Sequence, residues 1–171
     1  VKMQAPYASP TIATIESQKT IVQITQKGCV GVNPEDGKLL WEYKRESEYH
    51  DVVCTSPVIS GNMIATSVGF GDGMDCFKIE KSGSSLQAKQ VYSKKEIAND
   101  NGGIVLVGKH VYGFHLKRAW ECVDLETGNV AWSSPRKSLG AGSIIAADGR
   151  LYVLTEDSGE IAMLNASPEA Y

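Results

Sequence analysis

Short runs rich in apolar and β-branched residues recur along the whole chain, and polar or glycine-containing turns separate them. The first four runs cover residues 11–15, 20–25, 29–33 and 38–43. This spacing predicts four consecutive strands joined by tight turns, which together form an antiparallel meander. No segment keeps an apolar period of 3.6 residues, so we expect almost no helix.

One motif occurs twice, as a strand, a glycine turn and a second strand that carries a tryptophan. Gly37 and Gly128 are 91 residues apart, and so are Trp41 and Trp132. This separation is two periods of about 45 residues, a length typical of the blades of a β-propeller.

The repeat divides the chain into four units, at approximately residues 9–45, 52–95, 102–137 and 142–171. The second unit lacks the tryptophan, and we expect Tyr92 to replace it. The fourth unit stops at Tyr171, where a fourth strand is expected. The predicted fold is therefore all-β: a single propeller segment of about four blades, each a four-stranded antiparallel meander, with the last blade incomplete.

Composition excludes several classes of function. The 171 residues carry a formal net charge of −3 with scattered basic residues, which argues against a nucleic-acid groove or a basic membrane-binding face. No apolar run approaches the roughly 18–20 residues that span a bilayer. The chain begins at Val1 rather than Met, so we expect it to be part of a longer or processed protein.

Three stretches resemble the pyrroloquinoline-quinone-like (PQQ-like) β-propeller repeat family. They are Val32-Asn33-Pro34-Glu35-Asp36-Gly37-Lys38-Leu39-Leu40-Trp41, Val123-Asp124-Leu125-Glu126-Thr127-Gly128-Asn129-Val130-Ala131-Trp132 and Ala147-Asp148-Gly149-Arg150-Leu151-Tyr152-Val153-Leu154. The chain is also similar to uncharacterised bacterial propeller proteins of this family. The resemblance implies a periplasmic or extracytoplasmic location. The family includes both quinoprotein dehydrogenases and non-catalytic scaffolds.

The resemblance also implies structural roles for the repeated residues. Trp41 and Trp132 are expected to pack between neighbouring blades rather than to stack on a ligand. Tight hairpins are expected at the turn residues Gly37, Gly128 and Gly149 and at Asp124, which precedes one of these turns.

Residues for quinoprotein chemistry are scarce. Members with that activity hold the quinone between a tryptophan and a disulfide of adjacent cysteines, and this sequence has no adjacent cysteines. Asp72 and Asp75 are the weak candidate for a metal site, but they lack the EF-hand spacing and its closing glutamate, and a solvated loop is the favoured interpretation. We therefore predict no catalytic or cofactor-binding residue, and the sequence does not support PQQ with calcium as a cofactor.

The remaining reactive residues fit structural roles. Cys29, Cys76 and Cys122 recur at spacings of 47 and 46 residues, which favours small buried residues in equivalent strands over disulfides. His110 and His115 are an odd number of residues apart on one strand and point to opposite faces. The pair His50-Asp51 is interpreted as structural or surface residues, and Trp120 as a packed aromatic residue rather than one that lines a central channel.

A four-blade piece of a larger propeller leaves apolar faces uncovered at both ends. The leading hypothesis is that the remaining blades of a longer chain cover these faces, and the second is that two copies form a homodimer that completes an eight-bladed ring. We expect a non-catalytic binding or scaffold module that contacts a protein partner through loops at one end of the blades. The alternative is a fragment of a quinoprotein oxidoreductase whose catalytic residues lie outside this chain.

Overall fold

The computed structural model describes residues 6–45, 53–115, 119–136 and 138–171, and these residues form fifteen strands and no helix. The first sheet contains β1 (Thr11–Ile15), β2 (Gln18–Thr25), β3 (Gly28–Val32) and β4 (Leu39–Lys44). The second contains β5 (Val58–Ser60), β6 (Met63–Val68), β7 (Gly73–Ser82) and β8 (Ser85–Lys94). The third contains β9 (Ile104–Val107), β10 (His110–His115), β11 (Ala119–Asp124) and β12 (Val130–Ser133). The fourth contains β13 (Gly142–Ala147), β14 (Arg150–Thr155) and β15 (Ile161–Asn165).

Each sheet is an antiparallel meander in which strands adjacent in sequence are hydrogen-bonded neighbours. The sheets follow one another like the blades of a four-blade propeller, and the inner strands β5, β9 and β13 contact in order. The fourth sheet has three strands. The predicted all-β propeller with an incomplete last blade is therefore confirmed.

Apolar side chains alternate to both faces of the middle sheets because each of those sheets has a neighbour on either side. Three core clusters result, one between each pair of consecutive sheets. Tyr43 stacks on Phe77 between the first two sheets, with ring centroids 4.3 Å apart. Among the described residues, no core cluster joins the fourth sheet to the first.

Each sheet has two different ends. The hairpins that join its first strand to its second, and its third to its fourth, lie at what we call the turn end. The turns between second and third strands, and the connections between sheets, lie at the loop end. The second sheet has the longest hairpin, in which β7 and β8 stay paired as far as Ser82 and Ser85. The tip of this hairpin is exposed.

Candidate functional site

The fourth sheet has an apolar outer face, turned away from the third sheet. Its exposed residues are Ile145 at 62%, Leu154 at 49%, Ile161 at 74% and Met163 at 54%. Tyr152 is directly opposite both Ile145 and Met163, so the five side chains form adjoining rows across three strands. We call this set the open face. A sheet that is apolar on both sides is suited to burial on both sides.

The first sheet carries a second uncovered surface on the side turned away from the second sheet. Ile12 is 63% exposed there, and its register partner Ile21 and the next residue across, Val32, are half-buried. The pair Ile21 and Val32 occupies the row that Ile64 and Phe77 occupy in the second sheet. Ile64 and Phe77 are buried in the core between the first two sheets. The first sheet therefore presents the same apolar row that packs inside the molecule elsewhere.

A third feature is a strained loop at the loop end of the second sheet. Phe70 adopts a left-handed φ of 57° and is 57% exposed. Its backbone N–H donates to Oδ1 of Asp100, 2.9 Å away. A Cβ at Gly69 would collide with the same carboxylate oxygen, so only glycine fits there. This arrangement fixes the backbone that displays the Phe70 ring, since a left-handed φ is uncommon outside glycine.

The two predicted metal-candidate acids lie against an arginine. The Nε of Arg45 is 2.5 Å from Oδ2 of Asp75, and its Nη2 donates to the backbone carbonyl of Asp72 at 2.8 Å. The arginine side chain is 6% exposed and that of Asp75 is fully buried. The positive charge beside Asp72 and Asp75 is therefore the guanidinium of Arg45. Within the described ranges, no three His, Cys, Asp or Glu side chains form a group that could hold a metal ion.

The repeated aromatic residues occupy equivalent positions in the first three sheets. Trp41 is opposite Gly31 and buried, with its ring 5.8 Å from that of Phe77 in the next sheet. Tyr92 is opposite Cys76. Trp132 is opposite Cys122, and its Nε1 donates to the carbonyl of Ser167 at 2.7 Å.

The repeated turn residues sit at the turn ends. Gly37, Gly128 and Gly149 have φ angles of 70°, 66° and 71°, the left-handed region that favours glycine. Oδ1 of Asp124 accepts hydrogen bonds from the backbone and the hydroxyl of Thr127, at 2.8 and 2.7 Å. Burial raises the pKa of Asp124, but these hydrogen bonds outweigh burial and hold the pKa below its usual value.

A buried polar network crosses the interface between the second and third sheets. The Asn99 amide donates to the carbonyl of Phe114 at 2.7 Å, and its oxygen accepts from the Thr55 hydroxyl at 2.8 Å. The Asn99 N–H donates to the hydroxyl of Ser67, which in turn donates to the carbonyl of Ile97. This network fixes the connection that precedes the third sheet.

His115 lies beside this network, and His110 lies on the opposite face of β10. His115 is 1% exposed, and among the described residues no hydrogen bond of good geometry reaches either ring nitrogen. Burial lowers the pKa of His115 to about 4, and the nearby Ala98 backbone opposes this shift only weakly. A neutral imidazole in this position suits packing rather than proton transfer at neutral pH. The pair His50-Asp51 lies outside the described residues.

The other residues considered for chemistry are packed. Trp120 is buried, its ring lies 5.6 Å from that of Phe114, and its Nε1 donates to the carbonyl of Gly140. Cys29, Cys76 and Cys122 are buried free thiols. Burial raises the pKa of all three thiols, that of Cys76 to about 12. Cys29 is not equivalent to Cys76. Gly31 occupies the equivalent position in β3, and Cys29 lies two residues before it.

The sequence indicated the repeat and apolar faces left uncovered at both ends, and exposed apolar residues do lie on the outer faces of the first and fourth sheets. It did not indicate which residues form these faces or that the Phe70 ring is displayed. Alternating apolar residues in β14 and β15 look the same whether a neighbouring sheet covers them or not. The stretch of glycines from Gly69 to Gly73 was the one available indication of an unusual loop. In the part of the chain that the structure describes, no helix is long and apolar enough to cross a membrane.

Comparison with known proteins agrees with this architecture. A family model described as outer membrane protein assembly factor BamB matches residues 2–134. The structure of BamB from Moraxella catarrhalis is 17% identical, with a TM-score of 0.62 over 93% of this chain and 47% of that one. The computationally designed Ika4 protein is 12% identical, with a TM-score of 0.65 over 97% of this chain and 96% of that one. The designed Ika8 protein is 13% identical, with a TM-score of 0.65 over 94% and 47%.

The chain thus spans about half the length of the BamB and Ika8 structures and nearly all of Ika4. At these identities the likeness to solved structures shows the fold. No curated protein sequence matches the chain.

Proposed function

Because the chain belongs to the PQQ-repeat propeller family described as outer membrane protein assembly factor BamB, we propose that it is a non-catalytic scaffold module. In this proposal its four sheets are half of an eight-sheet propeller. The module acts in the periplasm or at the outer membrane of a bacterium and holds a protein partner at its loop end.

The open face is the observation that carries this proposal. Exposed apolar areas of this kind on a soluble protein mark interaction surfaces. Wherever two consecutive sheets pack, the earlier sheet contributes the side that is equivalent to the open face. The later sheet contributes the side that carries the row equivalent to Ile21 and Val32. The open face and the outer face of the first sheet are therefore the two halves of one more interface of the same type.

Two sources can supply the sheets that complete this interface. The remaining blades of a longer chain can cover both faces, as the length of the BamB structure suggests. Alternatively, two copies can meet head to tail, so that the open face of each packs on the first sheet of the other and closes a two-copy ring. Either arrangement leaves the loop end accessible to a partner.

Light scattering over a concentration series tests how the faces are covered. A mass of about twice 18.4 kDa favours the two-copy ring, and Ile161→Lys should then return the mass to that of one copy. Val91→Lys is the matched control, since Val91 is an exposed apolar residue outside both faces. A monomer that binds an apolar dye, and loses the dye with Ile161→Lys, favours completion by further blades. A monomer that binds no dye contradicts the proposed role of the open face.

Site-specific crosslinking tests the loop end. A photo-reactive phenylalanine analogue at position 70 should crosslink one protein in bacterial envelope extracts, because the ring is displayed on a fixed backbone. The same analogue at Glu126, exposed at the turn end of the third sheet, should not. Equal crosslinking from both positions would argue against a partner-binding loop end.

A further inference from the structure

The long hairpin of the second sheet forms one wall of a cleft at the turn end. Leu86 and Ala88 of this hairpin pack against the core between the first two sheets. The hairpin tip beyond them and the start of β4 border a space of about 540 Å³, which is within the range of small-molecule binding pockets. Both sheets beside the cleft have four strands, and their shared core holds them together.

The side of the cleft nearest the core is apolar. Leu40 and Leu86 are half-buried and contact the core cluster, and Leu39 beside them is 43% exposed. The remaining lining residues come from the first hairpin of the first sheet and from the tip of the long hairpin: Glu16, Gln18, Lys81, Gly83, Ser84 and Ser85. The cleft thus has an apolar base between an acidic wall and a basic wall.

Glu16 occupies a backbone conformation that a side chain does not favour. Glu16 and Ser17 form the two-residue turn between β1 and β2, with φ angles of 50° and 66°. Each of the equivalent turns in the other sheets contains a glycine, namely Gly61, Gly108 and Gly149. Oε1 of Glu16 accepts a hydrogen bond from Nδ2 of Asn62 in the second sheet, 3.2 Å away. Residues in this strained region of φ cluster at binding sites, which is consistent with a carboxylate that is retained for its chemistry.

Lys81 lies on the face of the long hairpin that is turned toward the first sheet. Ile79, two residues earlier on the same face, is fully buried, and Leu86, the register partner of Lys81, is half-buried. In the part of the chain that the structure describes, no carboxylate forms an ion pair with Lys81, and no lysine or arginine forms one with Glu16. Two opposite charges therefore line one cleft without neutralising each other.

We propose that this cleft is a binding site for a short apolar peptide with free termini. The ammonium group of the peptide lies beside the carboxylate of Glu16, and its terminal carboxylate lies beside Lys81 and the hydroxyl of Ser84. A compact space of 540 Å³ is about 10 Å across, which is the span of three extended residues. A free amino acid, whose two charges are on one carbon atom, is too short to reach both walls.

The apolar base of the cleft determines which side chains the peptide carries. The first and third side chains of an extended tripeptide point to the same side, so both can pack on the three leucines of the cleft. Large aliphatic residues at these two positions bury the most apolar surface. The site is at the turn end, on the opposite side of the molecule from the loop end.

A titration with the tripeptide Leu-Gly-Leu tests the site directly. Nuclear magnetic resonance spectra of the isotope-labelled intact chain should show saturable shifts at the backbone amides of Leu39, Ser84 and Leu86. Triglycine should bind about tenfold more weakly, because it lacks the apolar side chains. The absence of saturable shifts at these amides, up to the solubility limit of Leu-Gly-Leu, overturns the proposal.

Capped peptides separate recognition of the two charges from recognition of the side chains, and they leave the protein unaltered. Acetylation removes the ammonium charge and amidation removes the carboxylate charge, and each should weaken binding severalfold. A doubly capped peptide that binds as tightly as the free one would show that the cleft takes an apolar segment of a protein chain. That result would overturn the proposed preference for free termini.

Matched variants assign each charge to its residue. Glu16→Gln keeps an oxygen for the bond to Asn62 and should weaken the free peptide severalfold, but it should leave binding of the acetylated peptide unchanged. Lys81→Gln should act in the same way on the free and the amidated peptides. Glu35→Gln and Lys89→Gln, at exposed positions outside the cleft, should change neither. Equal losses for free and capped peptides would show that the variants act through the fold, and would overturn the assigned contacts.

Discussion

Trp41 lies directly over Gly31 on the neighbouring strand, so closely that a Cβ at Gly31 would collide with the indole ring. The backbone of Gly31 is not left-handed, so the requirement for glycine here is one of space. In the third sheet the equivalent pair is Cys122 and Trp132, where the side chain opposite the ring is present. The first sheet thus makes room for the Trp41 ring because Gly31, the residue opposite it, has no side chain.

We expect Gly31→Ala to destabilise the chain by about 1–3 kcal/mol, because the tryptophan must leave its position in the core. Cys122→Ala is the matched control and should cost less, since it removes atoms without forcing a ring to move. Urea denaturation followed by tryptophan fluorescence measures both. Equal losses for the two variants would contradict the packing described for Trp41.

The buried pair of Arg45 and Asp75 gives a second prediction. Asp75→Ala removes the carboxylate that pairs with the Nε of the buried guanidinium and leaves the more distant one of Asp72, 3.8 Å from its Nη1, so it should cost about 3–5 kcal/mol. Glu126→Ala removes the exposed partner of Lys109 and should leave the unfolding transition unchanged. Thermal unfolding of both variants, with and without calcium, checks this. Stabilisation of the unaltered chain by calcium would return Asp72 and Asp75 to the candidate metal site.

The pKa of His115 predicts a dependence of stability on pH. The unfolded chain binds a proton at this histidine near pH 6.5 and the folded chain only near pH 4, so stability falls as pH drops through this window. Between pH 7 and pH 5 this one group should remove about 2 kcal/mol. His115→Gln should remove that part of the slope. An identical slope in the variant would show that His115 has the same pKa in the folded and unfolded chains, which contradicts the lowered value.

The four cysteines should react at very different rates with a thiol reagent. Cys54 is exposed, whereas Cys29, Cys76 and Cys122 are buried and their raised pKa values keep them protonated. Titration of the native chain with an aromatic disulfide reagent should report one fast thiol, and denaturation should report four. Cys54→Ser should remove the fast phase. A loss of two thiols on oxidation of the native chain would indicate a disulfide and contradict this assignment.

The scaffold proposal predicts no specific affinity for the quinone of the family's enzymes. Pyrroloquinoline quinone titrated with calcium should produce no saturable change in tryptophan fluorescence. Saturable binding that requires calcium would favour the alternative, an oxidoreductase fragment, and would direct attention to the loop end.

The fold could be predicted from sequence because its determinants are local. Turn glycines such as Gly37 and Gly128 need particular φ angles, and the strands between them alternate apolar and polar residues. Tyr92 was identifiable as the third aromatic of the repeat because it ends the predicted fourth strand of the second unit, which lacks a tryptophan. The all-β propeller with a short last blade followed from these features alone.

The contacts at the loop end could not be predicted because they join residues far apart in sequence. Arg45 reaches Asp72 and Asp75 across the gap between two sheets, and nothing around Arg45 in the sequence indicates this. Phe70 is held by Asp100, 30 residues later. Spacing alone makes Cys29 equivalent to Cys76, but the pairing of each third strand with its fourth places Gly31, two residues later, at that position.

The three core clusters each join sheets that are adjacent in sequence, and this arrangement has a consequence for folding. A sheet needs its immediate neighbours and no distant one, so stability is a sum of nearest-neighbour terms. Amide hydrogens of the second and third sheets, which are covered on both sides, should exchange slowest with solvent. Those of β14 and β15 should exchange first, and the chain can open from its C-terminal sheet while the rest stays folded. The C-terminal sheet is thus the part of the chain that is most readily remodelled when a neighbour arrives.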